Sequence, residues 1–229
     1  MKRLLLVSIL IVLIIFIIGA VLTLYWQHNS FSTVITDIAC KPPCWQKIQP
    51  GETTTWKAVS ILEKTRNVAT ITQWDERYGS KISWDFQYPV RESSGYIYFS
   101  DDTVMAISFL TYGSLSVGEA LDYFGDPDYF WMRYKQTFER HWLEVILAYP
   151  TQGIFVRFDI GLSEETDQNF SVSMKEKDPV GRVIYFDPTQ YEYLLGSRIL
   201  FIEDEQTILK RQQPWHGLEV ITYDHMVPD

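Results

Sequence analysis

An uninterrupted apolar run near the N-terminus constrains this chain more than any other feature. Residues 4–24 carry no charged side chain, and Lys2 and Arg3 precede them. At a rise of about 1.5 Å per residue, a helix of this length reaches roughly 30 Å, the thickness of a bilayer core. Tyr25 and Trp26 follow at once, where aromatic side chains favour the membrane interface. The run therefore predicts one N-terminal transmembrane helix, with the N-terminus in the cytoplasm by the positive-inside rule and the rest of the chain outside it.

A cleaved signal peptide is the alternative interpretation of this segment. Its apolar region has about 7–15 residues and ends at small residues of the A-x-A type. The run here is longer, and it ends in the letters VLTLYW at residues 21–26. A lipoprotein signal places a cysteine directly after the apolar run, whereas the first cysteine here is Cys40. The sequence favours an uncleaved signal anchor, a cell-membrane location and contact with the lipid bilayer through residues 4–24.

The charge of the chain bears on its partners. The formal net charge is −9, and no acidic residue occurs before Asp37. An acidic chain repels phosphate backbones, which argues against nucleic acid as a partner. The expected partner, apart from the bilayer, is an unidentified protein of the cell envelope.

Two cysteines close together, Cys40 and Cys44, follow the predicted tether in the letters CKPPCW. A lone close pair outside the cytoplasm is typical of a disulfide. Free thiols, or redox or metal chemistry, are the alternatives; the spacing is not C-x-x-C, and the four histidines show no ligand spacing with the cysteines. The sequence predicts a disulfide, no metal site and no cofactor.

The pattern of helix and strand signals occurs twice. A helix is expected over residues 54–64, followed by strands at 82–88, 95–100 and 103–110, with a turn at Asp101 and Asp102. A second helix is expected from an N-cap at Ser116, followed by strands including residues 142–149 and 154–160. A helix on an antiparallel sheet buries both apolar surfaces, so the predicted fold class is α+β, with a transmembrane helix and two small helix-on-antiparallel-sheet modules. The predicted divisions are an anchor at 1–26, a tether at 27–39, module 1 at 40–112, module 2 at 113–190 and a C-terminal extension packed on module 2 at 191–229.

Two segments carry a resemblance to a known family. The letters IQPGETT at residues 48–54 resemble the opening I-x-x-G-x-T of the outer-membrane-assembly lipoproteins called SmpA/OmlA, whose fold is similar to that of β-lactamase inhibitory protein. The letters SVGEALDYFGDP at residues 116–127 resemble that family's T-x-x-x-V-x-x-x-L-G-x-P. The first copy lacks the terminal G-x-P, and the lipidated cysteine is absent. The CKPPCW segment is similar to uncharacterised extracytoplasmic proteins of Chloroflexota. The resemblance implies tandem envelope modules of the α+β type.

Motifs for catalysis are few. No G-x-S-x-G elbow occurs, and the glycines of residues 113–118 are not followed by Lys-Ser or Lys-Thr, which a phosphate loop requires. Asp101 and Asp102 fit a hairpin turn better than paired catalytic carboxylates. His141 and His216 have no partner acid or base suggested by the sequence. The sequence therefore predicts no catalytic residue.

Aromatic side chains on the predicted strands suggest a different role. Trp and Tyr dominate binding hot spots, so those that face outward on a sheet would make a binding face, whereas those that face inward only pack the core. The residues proposed for this face are Trp84, Tyr88, Tyr96, Tyr98, Trp131 and Trp142. Two functions follow as hypotheses: a non-enzymatic binding or scaffolding protein of the cell envelope, or an extracytoplasmic hydrolase-like enzyme with a dispersed site. A buried, strongly shifted carboxylate or histidine in a deep pocket would favour the enzyme.

Overall fold

A computed structural model of the chain describes residues 11–20, 40–76, 79–87, 93–138, 140–162, 170–197, 205–218 and 220–223. Residues 11–20 are helical. The other helices are α1 (Thr55–Leu62), α2 (Val117–Phe124), α3 (Tyr191–Gly196) and α4 (Glu205–Arg211). The strands are β1 (Val68–Glu76), β2 (Gly79–Phe86), β3 (Ser94–Ser100), β4 (Thr103–Leu110), β5 (Tyr129–Gln136), β6 (His141–Tyr149), β7 (Ile154–Leu162), β8 (Phe170–Ser173), β9 (Val180–Phe186), β10 (Gln213–Pro214) and β11 (Val220–Tyr223).

Most of the described strands form one antiparallel sheet. Its nine strands lie in the order β1-β2-β3-β4-β9-β7-β6-β5-β10. Strand β9 pairs with β4 on one side and with β7 on the other. It thereby joins the two groups of hairpins, each of which would otherwise leave an edge with unpaired backbone groups. A separate pair, β8 and β11, forms a second small sheet.

The predicted fold class is wrong about the two modules. Strands expected in module 1 and in module 2 belong to the same nine-stranded sheet, and only short helices accompany it. The physical reason is that β9 supplies hydrogen-bond partners to both β4 and β7. Alternation along a strand predicts which side chains face the core, but it does not identify the neighbouring strand.

The structure also does not provide the predicted transmembrane helix. Of the apolar run, the structure describes residues 11–20, which are helical. Within the described part of the chain, no helix is both long enough and apolar enough to cross a bilayer. The remainder of residues 4–24 and the predicted tether, residues 27–39, lie outside the described residues.

The sheet buries side chains on both faces. The first face carries the larger core cluster, covered by α1, α2 and the small β8–β11 sheet, which contribute residues such as Leu62, Ala120 and Ile221. The second face carries a smaller cluster, where α3 and α4 place Leu194 and Ile208 against the sheet. Apolar burial of this kind contributes about 25 cal/mol per Å² removed from water. The two faces are called the first face and the second face below.

The local predictions for α2 and for the hairpin between β3 and β4 are confirmed. The Ser116 hydroxyl accepts a hydrogen bond from the backbone N–H of Glu119, and the Glu119 carboxylate accepts one from the backbone N–H of Ser116. This reciprocal capping box satisfies two of the helix's terminal donors. Asp101 and Asp102 have φ values of 48° and 64°, and positive φ at both central residues is what a type I′ hairpin turn requires.

The predicted disulfide is present between Cys40 and Cys44, whose Cα atoms lie 5.6 Å apart. The loop it closes leads directly to Trp45, which is 1% exposed and exchanges backbone hydrogen bonds with Ile48. Trp45 stacks on Trp84 with ring centroids 5.3 Å apart. The disulfide therefore holds the segment that carries a large core side chain.

We expect Cys40→Ser to lower the free energy of unfolding by about 2 kcal/mol, because the loop is short and its closure entropy is small. Urea denaturation of the oxidised wild type and of the Cys40→Ser variant measures this difference. Alkylation without reduction should leave both cysteines of the wild-type protein unlabelled. Labelling of Cys40 and Cys44 in native material would contradict the disulfide.

Candidate functional site

The structure separates the six side chains proposed for a binding face. Trp84 and Trp131 are each 1% exposed and belong to the cores of the first and second face respectively. Tyr88 lies outside the described residues. Tyr96, Tyr98 and Trp142 are half-buried on the second face. Trp84 and Trp131 therefore pack the core in this structure, and the other three described side chains share one face of the sheet.

The burial of Trp84 depends on a glycine in the neighbouring strand. Gly95 lies directly opposite Trp84, and a Cβ built on Gly95 would lie 2.0 Å from the indole ring. A strand glycine of this kind lets an aromatic ring approach the backbone closely. Alternation along a strand does not show that α1 and Trp45 cover the face on which Trp84 lies.

Charged side chains occupy part of the second face, beside its apolar core. We call these six residues the charged band; they are Arg133, Lys135, Glu144, Arg157, Asp159 and Arg182. They alternate along β5, β6, β7 and β9 in the same phase as Trp131, Ile146 and Ile184, which pack under α3 and α4. The band is an unusual feature for an acidic chain, because four basic side chains meet only two acidic ones. It is therefore locally cationic.

Glu144 is the centre of the charged band. It is 1% exposed, and its two carboxylate oxygens accept hydrogen bonds from Arg133 and Lys135 and form an ion pair with Arg157. Arg133 binds Oε2 at 2.5 Å, and Lys135 and Arg157 bind Oε1 at 2.6 and 2.8 Å. The three cations are themselves 11%, 22% and 27% exposed at the side chain. A carboxylate enclosed in this way fixes the three basic side chains in place.

The electrostatics of Glu144 favour its charged form. Burial opposes ionisation of Glu144, but the charges of Arg157 and Arg133 and the hydrogen bond from Lys135 outweigh it, so the pKa of the carboxyl is lowered. Burial lowers the pKa of Lys135, against the opposing effect of Glu144. A proton donor in catalysis needs a raised carboxyl pKa, so Glu144 is suited to positioning cations and not to acid catalysis at neutral pH.

Arg157 and Arg182 form a pair of like charges. They lie directly opposite each other on β7 and β9. Arg157 binds Glu144, whereas Arg182 makes no hydrogen bond or ion pair from its side chain to any described residue, and its buried Nε has no hydrogen-bond partner there. Burial, and then the neighbouring Arg157 charge, lower the pKa of Arg182. Within the described part of the chain, Arg182 therefore has no directly bonded counter-ion, and the Glu144 charge only partly opposes the lowering of its pKa.

Hydroxyl groups border the band on the side of β3 and β4. Tyr96 lies opposite Ser108, and the rings of Tyr96 and Tyr98 stack with centroids 6.4 Å apart. Both tyrosines lie near enough to Arg182 to oppose the lowering of its pKa. The Ser108 hydroxyl is buried, with no hydrogen-bond partner among the described residues. Hydroxyls and guanidinium groups together make a polar surface suited to an oxygen-bearing anion.

Trp142 borders the band on the opposite side. It lies opposite Lys135 on β5 and opposite Gly161 on β7. The neighbouring His141, which the sequence analysis considered as a catalytic residue, shares a hydrogen bond of 2.7 Å with the hydroxyl of Tyr134. His216 is exposed. Neither histidine contacts the carboxylates of the charged band in the described structure.

Sequence reasoning missed the charged band, although a signal was present. Glu144 interrupts an otherwise apolar strand, and its neighbours Leu143 and Val145 face the opposite side of the sheet. Arg133 and Lys135 on β5, and Arg157 and Asp159 on β7, repeat this two-residue spacing. A buried acidic residue in one strand, with basic residues of other strands on the same face of the sheet, indicates an ion-pair cluster.

Comparisons with family models, with characterised proteins and with solved structures each gave no match to this chain. The resemblance to the SmpA/OmlA lipoproteins stays a prediction.

Proposed function

We propose that this protein is a non-enzymatic binding or scaffolding protein of the cell envelope, and that its partner contacts the charged band. The observation that carries the proposal is the locally cationic, partly exposed band on a chain of net charge −9. Tyr96, Tyr98 and Trp142 lie at its margins, and such side chains supply much of the binding energy in protein interfaces. The anchored cations offer a preorganised surface to a partner.

The disulfide supports a compartment outside the cytoplasm. Disulfides persist in oxidising environments and are rare where glutathione and thioredoxin keep thiols reduced. Cys40 and Cys44 are linked in this structure. The cell-membrane location, with the C-terminal domain outside the cytoplasm, stays a prediction that fractionation of cells tests.

The hydrolase alternative has weaker support. General acid catalysis at neutral pH needs a carboxyl whose pKa is raised. Desolvation raises the pKa of Asp159, but this side chain is exposed and does not lie in a buried site. Glu144 is the most enclosed carboxylate of the band, and its pKa is lowered by the three cations despite its burial. Its arrangement is that of a structural counter-ion.

Site-specific photo-crosslinking in cells tests the proposed surface. A photoreactive amino acid replaces Trp142 at the margin of the band, and in a matched control it replaces Tyr123, an exposed aromatic residue on α2. We expect a discrete adduct from position 142 and none from position 123, because α2 covers the opposite face of the sheet. Equal adducts from both positions, or none from position 142, would argue against a partner at the charged band.

A further inference from the structure

We infer that Arg182 and Arg157 form a binding site for a phosphate-type dianion, with the hydroxyls of Tyr96 and Tyr98 beside it. The inference rests on the proposed function and deepens it, because it names the chemical group of the partner that the charged band recognises. The group is a phosphomonoester or free phosphate. A phosphodiester, which carries a single negative charge, is the principal alternative that the experiment separates.

Glu144 is already saturated with cations. Both oxygens of this carboxylate are already engaged, by Arg133 on one side and by Lys135 and Arg157 on the other. Arg182 is therefore left without a carboxylate partner among the described residues. Its lowered pKa agrees with a cation that is partly buried and faces another cation.

The facing arginines Arg157 and Arg182 destabilise the fold. Like charges directly opposite each other on neighbouring strands destabilise a sheet, and a partly buried charge without a directly bonded counter-ion adds a desolvation cost. Replacing Arg182 with an uncharged residue would remove both costs. Natural proteins keep locally destabilising side chains mainly at their functional sites. The position of Arg182 therefore fits a role in binding.

The charge and the donor groups of the band match those of a phosphate-type dianion. The four basic and two acidic side chains of the band leave an excess of two positive charges, which a dianion neutralises. A guanidinium group offers a planar fork of N–H donors that matches phosphate oxygens. The hydroxyls of Tyr96 and Tyr98 lie on the same face as Arg182 and supply neutral donors. The buried Ser108 hydroxyl, next to Tyr96, adds a further polar group that no described residue satisfies.

Titration calorimetry on the full-length protein tests the inference with inorganic phosphate as the probe. Every titration is matched in ionic strength with sodium chloride, and methyl phosphate and dimethyl phosphate serve as the monoester and diester probes. We expect saturable binding of phosphate and methyl phosphate and clearly weaker binding of dimethyl phosphate. Arg182→Gln should weaken phosphate binding about 10- to 100-fold, the loss expected for a charge-assisted hydrogen bond.

The control variant is Arg66→Gln, which makes the same change of charge at an exposed residue away from the band. We expect it to bind phosphate within about twofold of wild type, as for a surface charge in screening salt. Without phosphate, Arg182→Gln should unfold at a urea concentration no lower than wild type. If it fails to fold, Arg182→Lys keeps the charge and loses the planar fork, and weaker phosphate binding by that variant still supports the inference.

Absence of saturable phosphate binding by wild type would overturn the inference, as would equal binding by wild type and Arg182→Gln. Tighter binding of dimethyl phosphate than of methyl phosphate would overturn the choice of a dianion. If phosphate does not bind but the cross-link at position 142 forms, the inference about the ligand is wrong and the proposed function is still supported. Retained phosphate binding without any cross-link would instead contradict the proposed envelope partner.

Discussion

Glu144→Gln should lower the free energy of unfolding by about 3–5 kcal/mol, the loss typical when one member of a buried ion-pair cluster is removed. The substitution keeps the shape of the side chain but removes its charge. Arg133, Lys135 and Arg157 then face one another without the carboxylate that they enclose, and the more exposed Asp159 is the one acidic side chain left in the charged band. Urea denaturation of the two proteins measures the difference.

Glu176→Gln is the matched control, because Glu176 is exposed and the same chemical change there should cost less than about 0.5 kcal/mol. The effect of pH gives a second test. The folded pKa of Glu144 is lowered from 4.5, so its stabilising contribution is present above the unfolded pKa and is lost as the pH falls through the folded value. Wild type should therefore lose more stability on acidification below about pH 4.5 than Glu144→Gln does. Equal losses in the two proteins would contradict a charge-stabilised cluster.

Trp84→Ala should also cost about 3–5 kcal/mol in the free energy of unfolding, the usual range for removing a large aromatic side chain from a core. Trp84 stacks on Trp45 and contacts the edges of Phe86 and Phe109. The space left by the indole ring opens against Gly95, which has no side chain to fill it. Phe86, Gly95 and Phe109 are held in place by the backbone of their strands, so the cavity closes only in part.

Trp142→Ala is the informative comparison, because this tryptophan was proposed for the same binding face but is only half-buried. We expect it to lower the unfolding midpoint in urea clearly less than Trp84→Ala. The opposite order, or equal midpoints, would show that the assignment of Trp84 to the core is wrong.

The local structure of this chain could be predicted from its sequence, because the forces that set it act between near neighbours. Ser116 and Glu119 are three residues apart, and they cap α2 through contacts within one helical turn. Asp101 and Asp102 adopt the positive φ values that a tight hairpin needs. The strands on either side follow from alternation of apolar and polar residues, and the structure places them at Ser94–Ser100 and Thr103–Leu110.

The arrangement of the strands could not be predicted in the same way. Strand β9 pairs with β4, more than 60 residues earlier, and any strand with a free edge offers the same backbone donors and acceptors. The sequence analysis did not predict strand β5, because Arg133 and Lys135 interrupt its apolar residues. Both nevertheless alternate in phase with Trp131. The same charges contact Glu144 only after β5 and β6 pair in their register. The candidate site is thus a product of strand pairing, and residue types alone did not indicate it.

Arginine side-chain NMR of the full-length protein, titrated with inorganic phosphate, tests the central claim most directly. The Nε–Hε signals of Arg182 and Arg157 should shift in a saturable manner. Those of Arg66 and Arg140, which are exposed and lie outside the charged band, should move no more than they do with sodium chloride of equal ionic strength. An unchanged Arg182 signal, or equal shifts of all four arginines, would contradict an anion-binding surface at the charged band.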